Sequence, residues 1–361
     1  MKTLLSAFLL LCSLNLLAQD KFMTIFLDKD IQDLALEPCF QKWSKNLGEK
    51  GFFINIHVLS DKDQNLKMYK SLIQHDAPDY LFFLGDLKLP KMKLIQKDKK
   101  DRSKNIVVES ETLFPLYSLD SFPKLGGVKS QAFFEDSTIS IGVLNLIYHR
   151  SSKYSHKGIK KRYCEYFEKN LTYKTCKKSN NIKVAEMIDT DFSQLENDTE
   201  VLASDAKKHS SFKDILVANN LDMGFIAAHS NSKKIYYGYG NNEKTLTVSS
   251  LLKTKITTKF LNLYSCRVFE DNVSYSVGKA FIGHHSETLG VLGSTKSGAL
   301  AYPKIYYNLL KEGYSFGEAL LRYVKYFATS YGGSDSYLDN NGYHSGLIFY
   351  GDPTLTLHSC K

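Results

Sequence analysis

Two apolar blocks in the second half of the chain each end in a side chain able to do covalent chemistry. DMGFIAAHS runs into His229 and Ser230, and KFLNLYSCRVFED runs into Cys266. A thiol becomes a nucleophile when a neighbour takes its proton or stabilises the thiolate, and imidazole does both near neutral pH. Cys266 and His229 therefore have the composition for acyl transfer, provided that backbone N–H groups stabilise the oxyanion. Plainer roles compete: free cysteine is among the most often buried residue types, and a strand-end histidine can serve packing alone. The cysteine count favours the thiol. Of six cysteines, Cys12 lies in an N-terminal apolar run, leaving Cys39, Cys164, Cys176, Cys266 and Cys360. An odd number in an exported chain leaves at least one free thiol or an intermolecular bond. Cys164 and Cys176 are near enough in sequence to close a small loop, and no CxxC spacing marks a metal site.

The elements that must position this pair alternate between strand and helix from Phe22 onward. FMTIFLD, FFINIHVL, DYLFFLGD and STISIGVLNLIY read as strands of the first half. Leu36–Leu47, with Phe40, Trp43 and Leu47 at helical spacing, and Leu66–Ile73 read as helices between them. Such alternation argues for parallel βαβ units with right-handed crossovers. The polar stretch Lys88–Ser110 reads as a surface excursion, and Lys153–Lys169 as a basic connecting helix. In the second half, IKVAEMID, DMGFIAAHS, FLNLYSC, ETLGVLGST and GLIFYGDPTLTLH read as strands, and Ser315 with Glu318 forms a capping-box pattern. The carboxyl ends of parallel strands line one edge of such a sheet, where ligands bind. His229 and Cys266 both fall at such ends. The expected organisation is a smaller α/β subdomain over 19–150 and a second, site-bearing one over 151–361.

Residues 1–18, MKTLLSAFLLLCSLNLLA, have the positive start, apolar middle and small-residue end of a secretory signal peptide. No later run reaches the roughly 18 apolar residues of a membrane-spanning helix. The expectation is an exported protein, secreted or periplasmic, with no membrane span. The formal charge of +9 is spread along the chain, and its lysine runs read as solvated faces. No nucleic-acid module is present. No GxGxxG or GxxxxGK(S/T) follows a strand, which weighs against a nucleotide-binding protein, and Gly238 and Gly240 fit a loop.

The ordered motifs resemble the gingipain family of secreted bacterial cysteine peptidases, within the caspase-like clan. PDYLFFLGD is similar to its first-domain Gly-Asp strand, FIAAHS to its histidine strand and LTVSSLL to the helix start that follows. LYSC is similar to its nucleophile strand, VGKAFI with GVLGSTKSG to the next helix and strand, and FYGDPTLTL to its terminal strand. The resemblance covers nearly all of the chain after residue 18. It implies a caspase-like three-layer αβα sandwich with a mostly parallel sheet, and cysteine endopeptidase activity on protein or peptide substrates without a cofactor or metal. Cys266 would be the nucleophile, His229 the general acid/base, and the backbone N–H groups of Ser230 and Cys266 the oxyanion hole. Asp189 or Asp191 would pair with a basic P1 side chain, and Ser294 to Gly298, including Ser297, would wall the pocket.

One departure matters. The family has glycine after the histidine, and a non-glycine residue at positive φ costs about 1–2 kcal/mol. Ser230 therefore keeps open an inactive member serving as a binding or assembly module. Other polar groups have bland readings. Asp335, Asp339 and Asn341 offer calcium-type oxygens but read as a polar turn, His284 and His285 as surface or capping residues, and Gly351-Asp352-Pro353 as a tight turn. Glu270 and Asp271 read as solvating a helix start.

Overall fold

The protein is described here by a computed structural model covering residues 20–97, 105–117, 138–147, 156–179, 181–189, 191–192, 206–208, 212–217, 221–237, 244–270, 275–283, 286–298, 300–330 and 346–360. The expected signal peptide, Gly238, Gly240, Asp271, His284, His285, Asp335, Asp339 and Asn341 lie outside these residues.

The strands in chain order are β1 (Lys21–Asp28), β2 (Phe52–Leu59), β3 (Tyr80–Leu84), β4 (Lys91–Lys97), β5 (Asn105–Glu111) and β6 (Ser140–Leu144). They continue with β7 (Lys178–Ser179), β8 (Val184–Ile188), β9 (Ala206–Lys208), β10 (Met223–Ala227), β11 (His229–Ser230) and β12 (Lys234–Tyr237). The last are β13 (Lys244–Thr247), β14 (Phe260–Tyr264), β15 (Gly290–Ser294), β16 (Leu347–Gly351) and β17 (Ser359–Cys360). The longer helices are α1 (Pro38–Gly48), α2 (Leu66–Asp76), α3 (His156–Thr175), α4 (Pro303–Lys311) and α5 (Phe316–Ser330).

Continuous apolar runs make β3, β10, β14 and β15 buried along their whole lengths, as strands covered on both faces must be. They belong to one ten-stranded sheet ordered β2-β1-β3-β6-β16-β15-β14-β10-β8-β9. Every pairing in it is parallel except β15 with β16. The chain is thus α/β with a large, mostly parallel central sheet and helices, consistent with three layers. No helix among the described residues is long and apolar enough to cross a membrane.

The sheet runs through the expected subdomain boundary, where β6 meets β16 through the single ladder pair Val143 and Tyr350. Side chains reinforce this thin seam. Asp352, fully buried just past β16, accepts hydrogen bonds from Trp43 Nε1 of α1 at 3.0 Å, Asn170 Nδ2 of α3 at 3.0 Å and Lys174 Nζ of α3 at 2.7 Å. Burial pushes its carboxyl up, but Lys174 and Thr354 outweigh that and hold it below the ordinary carboxylate value. The tight turn expected at Gly351-Asp352-Pro353 is therefore also a buried polar hub. Gly351 has φ 151°, and a Cβ there would stand 2.6 Å from the Leu289 carbonyl oxygen, so the turn needs glycine.

Two sequence expectations change. The stretch from Lys88, read as a surface excursion, carries the antiparallel β4–β5 pair, a two-stranded sheet separate from the ten-stranded one; neither strand has the strict polar–apolar alternation that marks a strand in sequence. The disulfides join Cys39 of α1 to Cys164 of α3 and Cys176 to Cys360 of β17, so Cys164 and Cys176 do not close a loop together. The helix explains why: twelve residues of rise separate them by about 18 Å, far beyond disulfide reach.

Candidate active site

Parallel register aligns Ala227 at the end of β10 with Tyr264 at the end of β14. His229 and Cys266 each lie two residues beyond these aligned ends. Hydrogen bonds stitch the two exits together. Ser265 Oγ donates to the Ala228 carbonyl at 2.8 Å, the Ala228 N–H donates to the Tyr264 carbonyl at 3.4 Å, and Ser230 Oγ donates to the Cys266 carbonyl.

Among the described residues Cys266 is the free cysteine, and it is partly exposed. Its sulfur accepts the Gly298 N–H at 3.4 Å, which ties the cysteine to the turn after β15. The backbone turns sharply here. Arg267 has φ 59°, a left-handed conformation unusual for a residue with a Cβ. Its N–H donates to the Lys296 carbonyl at 3.1 Å, and its guanidinium grips both oxygens of Glu270 at 2.7 and 2.6 Å. Glu270 is therefore half of a clamp on the residue after the cysteine.

The His229 imidazole is 63 % exposed, with Nε2 lying 3.3 Å from Asp191 Oδ2. Phe192 packs on it at a ring distance of 4.9 Å. The loop carrying both partners is pinned to β10, because the Asp189 N–H donates to the Ala227 carbonyl at 2.9 Å. Asp189 itself is buried beneath the loop, with Oδ1 accepting the Asp191 N–H at 3.4 Å. Of the two acids singled out in the sequence, the structure brings Asp191 to the histidine.

Ser230 lies in an extended strand, not at positive φ; among described non-glycine residues only Ala77 and Arg267 have positive φ. The 1–2 kcal/mol penalty therefore does not arise. The Asn231 N–H donates to the Lys234 carbonyl at 3.0 Å, so antiparallel alternation makes Ser230–Ile235 a non-hydrogen-bonded pair. The Ser230 N–H consequently points away from β12. The Cys266 N–H has no hydrogen-bond partner among the described residues. These are the two donors expected for the oxyanion.

Ser294 is fully buried, its hydroxyl donating to the Lys296 carbonyl and accepting the Lys296 N–H at 3.1 Å, so it shapes the turn below the cysteine. Ser297 is exposed. Between them Lys296 is 5 % exposed, and burial pushes its ammonium down to about 7. A half-buried apolar group formed by Ile188, Phe192, Leu300 and Tyr302 packs around Tyr264, beside the pair. Sequence reading gave no role to Phe192 or Arg267, and placed Gly298 at the end of the pocket-wall segment Ser294 to Gly298, where the structure has its N–H on the Cys266 sulfur. Another ligand-type group, Cys176, His358 and Cys360, has both sulfurs in a disulfide, which removes them from metal chemistry.

No protein-family model matches the chain, and no curated protein matches it in sequence.

Proposed function

We propose that this chain is a cysteine endopeptidase with a gingipain-like, caspase-like fold, using Cys266 as nucleophile and His229 as general acid/base. The observation that carries this is a free thiol and an imidazole, each two residues past the paired ends of adjacent parallel strands, with a carboxylate already on the imidazole. With Nε2–H given to Asp191, Nδ1 is left as the basic nitrogen that takes the Cys266 proton. The thiolate attacks the scissile carbonyl carbon, a C–S bond forms, and the Ser230 and Cys266 N–H groups receive the oxyanion. Collapse breaks the C–N bond, His229 returns its proton to the leaving amine, and a thioester remains. Water then attacks the thioester, giving a proton to His229; the C–S bond breaks, and the thiol recovers that proton.

Asp191 holds the imidazole in its working tautomer. The disulfides fit an oxidising compartment, in keeping with export. The extended backbone at Ser230 removes the steric objection raised by the missing glycine.

The deciding experiment treats the purified chain with iodoacetamide and with peptidyl acyloxymethylketones, maps the adduct, and compares peptide cleavage by wild type and Cys266→Ala. The expected result is a Cys266 adduct and cleavage that vanishes in the variant. An unmodified Cys266 in the native protein, or equal cleavage by both forms, leaves the binding-module alternative.

A further inference from the structure

The half-buried apolar group beside the catalytic pair has a position that packing alone does not require. Tyr264, 7 % exposed, ends the strand that delivers Cys266 two residues later. Phe192 bridges from it to the histidine, with ring distances of 5.9 Å to Tyr264 and 4.9 Å to His229. Tyr302 closes on Tyr264 from the other side at 5.7 Å, and Ile188 and Leu300 fill the margins. Besides Tyr264, these residues come from the end of β8 with the loop after it and from the chain following β15. Apolar side chains left partly open next to a nucleophile form a surface that gains by covering apolar area of a substrate.

Among the described residues, the acids of the same loop, Asp191 and Asp189, are already engaged. Asp191 Oδ2 serves His229 at 3.3 Å, so drawing it toward a cationic substrate would take it from the imidazole. Asp189 is 7 % exposed and accepts the Asp191 N–H, so its carboxylate lies under the loop and not on its surface.

From this we infer that the residue supplying the scissile carbonyl has a large apolar, preferentially aromatic, side chain that lies against Phe192, Tyr264 and Tyr302. This rests on the peptidase function proposed above and replaces the basic P1 preference expected from sequence. A phenyl or isobutyl group covers the patch, whereas a guanidinium or ammonium there is desolvated while both Asp189 and Asp191, the acids of this loop among the described residues, are already engaged.

The test uses the full chain and internally quenched peptides identical except at P1, which is Phe, Tyr, Leu, Arg, Lys, Asp or Gly. Cys266-dependent kcat/KM is expected to be at least about tenfold higher for Phe, Tyr and Leu than for Arg, Lys and Asp. Phe192→Ala should narrow the Phe-to-Gly ratio, mainly through KM, and Phe192→Leu should restore most of it. Because Phe192 also touches His229, the ratio and not the absolute rate is the readout. Cys266-dependent cleavage chiefly after Arg or Lys overturns this inference and leaves the peptidase function standing, as does selection confined to the residue on the amine side. Absence of any Cys266-dependent cleavage overturns both.

Discussion

Two carboxylates, Asp352 and Asp191, each meet a nitrogen base, and their settings are opposite. Asp352 is fully buried and receives Trp43, Asn170 and Lys174 from two helices. Asp191 is 48 % exposed and meets one partner, a histidine that is itself 63 % exposed. The buried acid is saturated with donors and cannot release them without leaving a charge stranded in the core. The exposed acid gives up little on separation from its histidine. Structure-holding and the proposed chemistry would thus fall to different ends of the second half.

That division can be attacked from both sides. The largest effect is expected from Cys266→Ala, which should lower peptide cleavage by about a thousandfold or more while leaving the thermal midpoint in place. Next, Lys174→Met strands the Asp352 charge and should destabilise the fold by about 3–5 kcal/mol, read by chemical denaturation. Activity per folded molecule should survive, and its loss without destabilisation would erase the distinction. Asp191→Asn should reduce kcat by about ten- to a hundredfold with an unchanged denaturation midpoint; a large shift in that midpoint would make Asp191 another structural acid.

A smaller effect concerns acid. The Asp352 pKa is held down in the folded state, so its stabilisation is fully present above the unfolded value, about 3.9. It fades as pH falls through the lower folded value. Trp43, the sole tryptophan, donates to this carboxylate and reports on it directly. Its fluorescence-monitored stability should be flat well above pH 4 and decline below it, and Asp352→Asn should flatten that decline. The smallest change is Ser230→Ala, which removes one hydrogen bond to the Cys266 carbonyl, worth about 1 kcal/mol, and should slow cleavage only a few-fold.

Most of the scaffold was legible because it depends on local pattern. The apolar runs of β1, β3, β10, β14 and β15, the helix carrying Phe40 and Trp43, and the capping box at Ser315 and Glu318 are all set by near neighbours. In the box, the Ser315 N–H donates to Glu318 Oε2 at 2.9 Å and the Glu318 N–H to Ser315 Oγ at 3.2 Å. Strand-end logic also reached His229 and Cys266. What escaped depends on residues far apart in the chain. Asp352 meets Trp43 across 309 positions, and no local signal marks that encounter. The Ser230 backbone is decided by its pairing with Ile235, whereas the glycine expected from the resemblance suggested a left-handed turn. The unusual backbone sits instead at Arg267, whose side chain offers no hint of it. Asp191 and Asp189, both acidic and two positions apart, look equivalent in sequence and are separated only by which one the loop buries.

The two disulfides divide the chain into consecutive covalent rings, one closed across 125 positions and the next across 184, with most of α3 between them. Nearly everything from Cys39 to Cys360 lies inside one ring or the other. A single backbone break within either ring leaves one molecule, still tethered on both sides of the cut. An enzyme that nicked itself or its copies there would keep its apparent size until its sulfurs were reduced. Cross-linking of this kind makes the scaffold tolerant of backbone cleavage, the reaction proposed for its open edge.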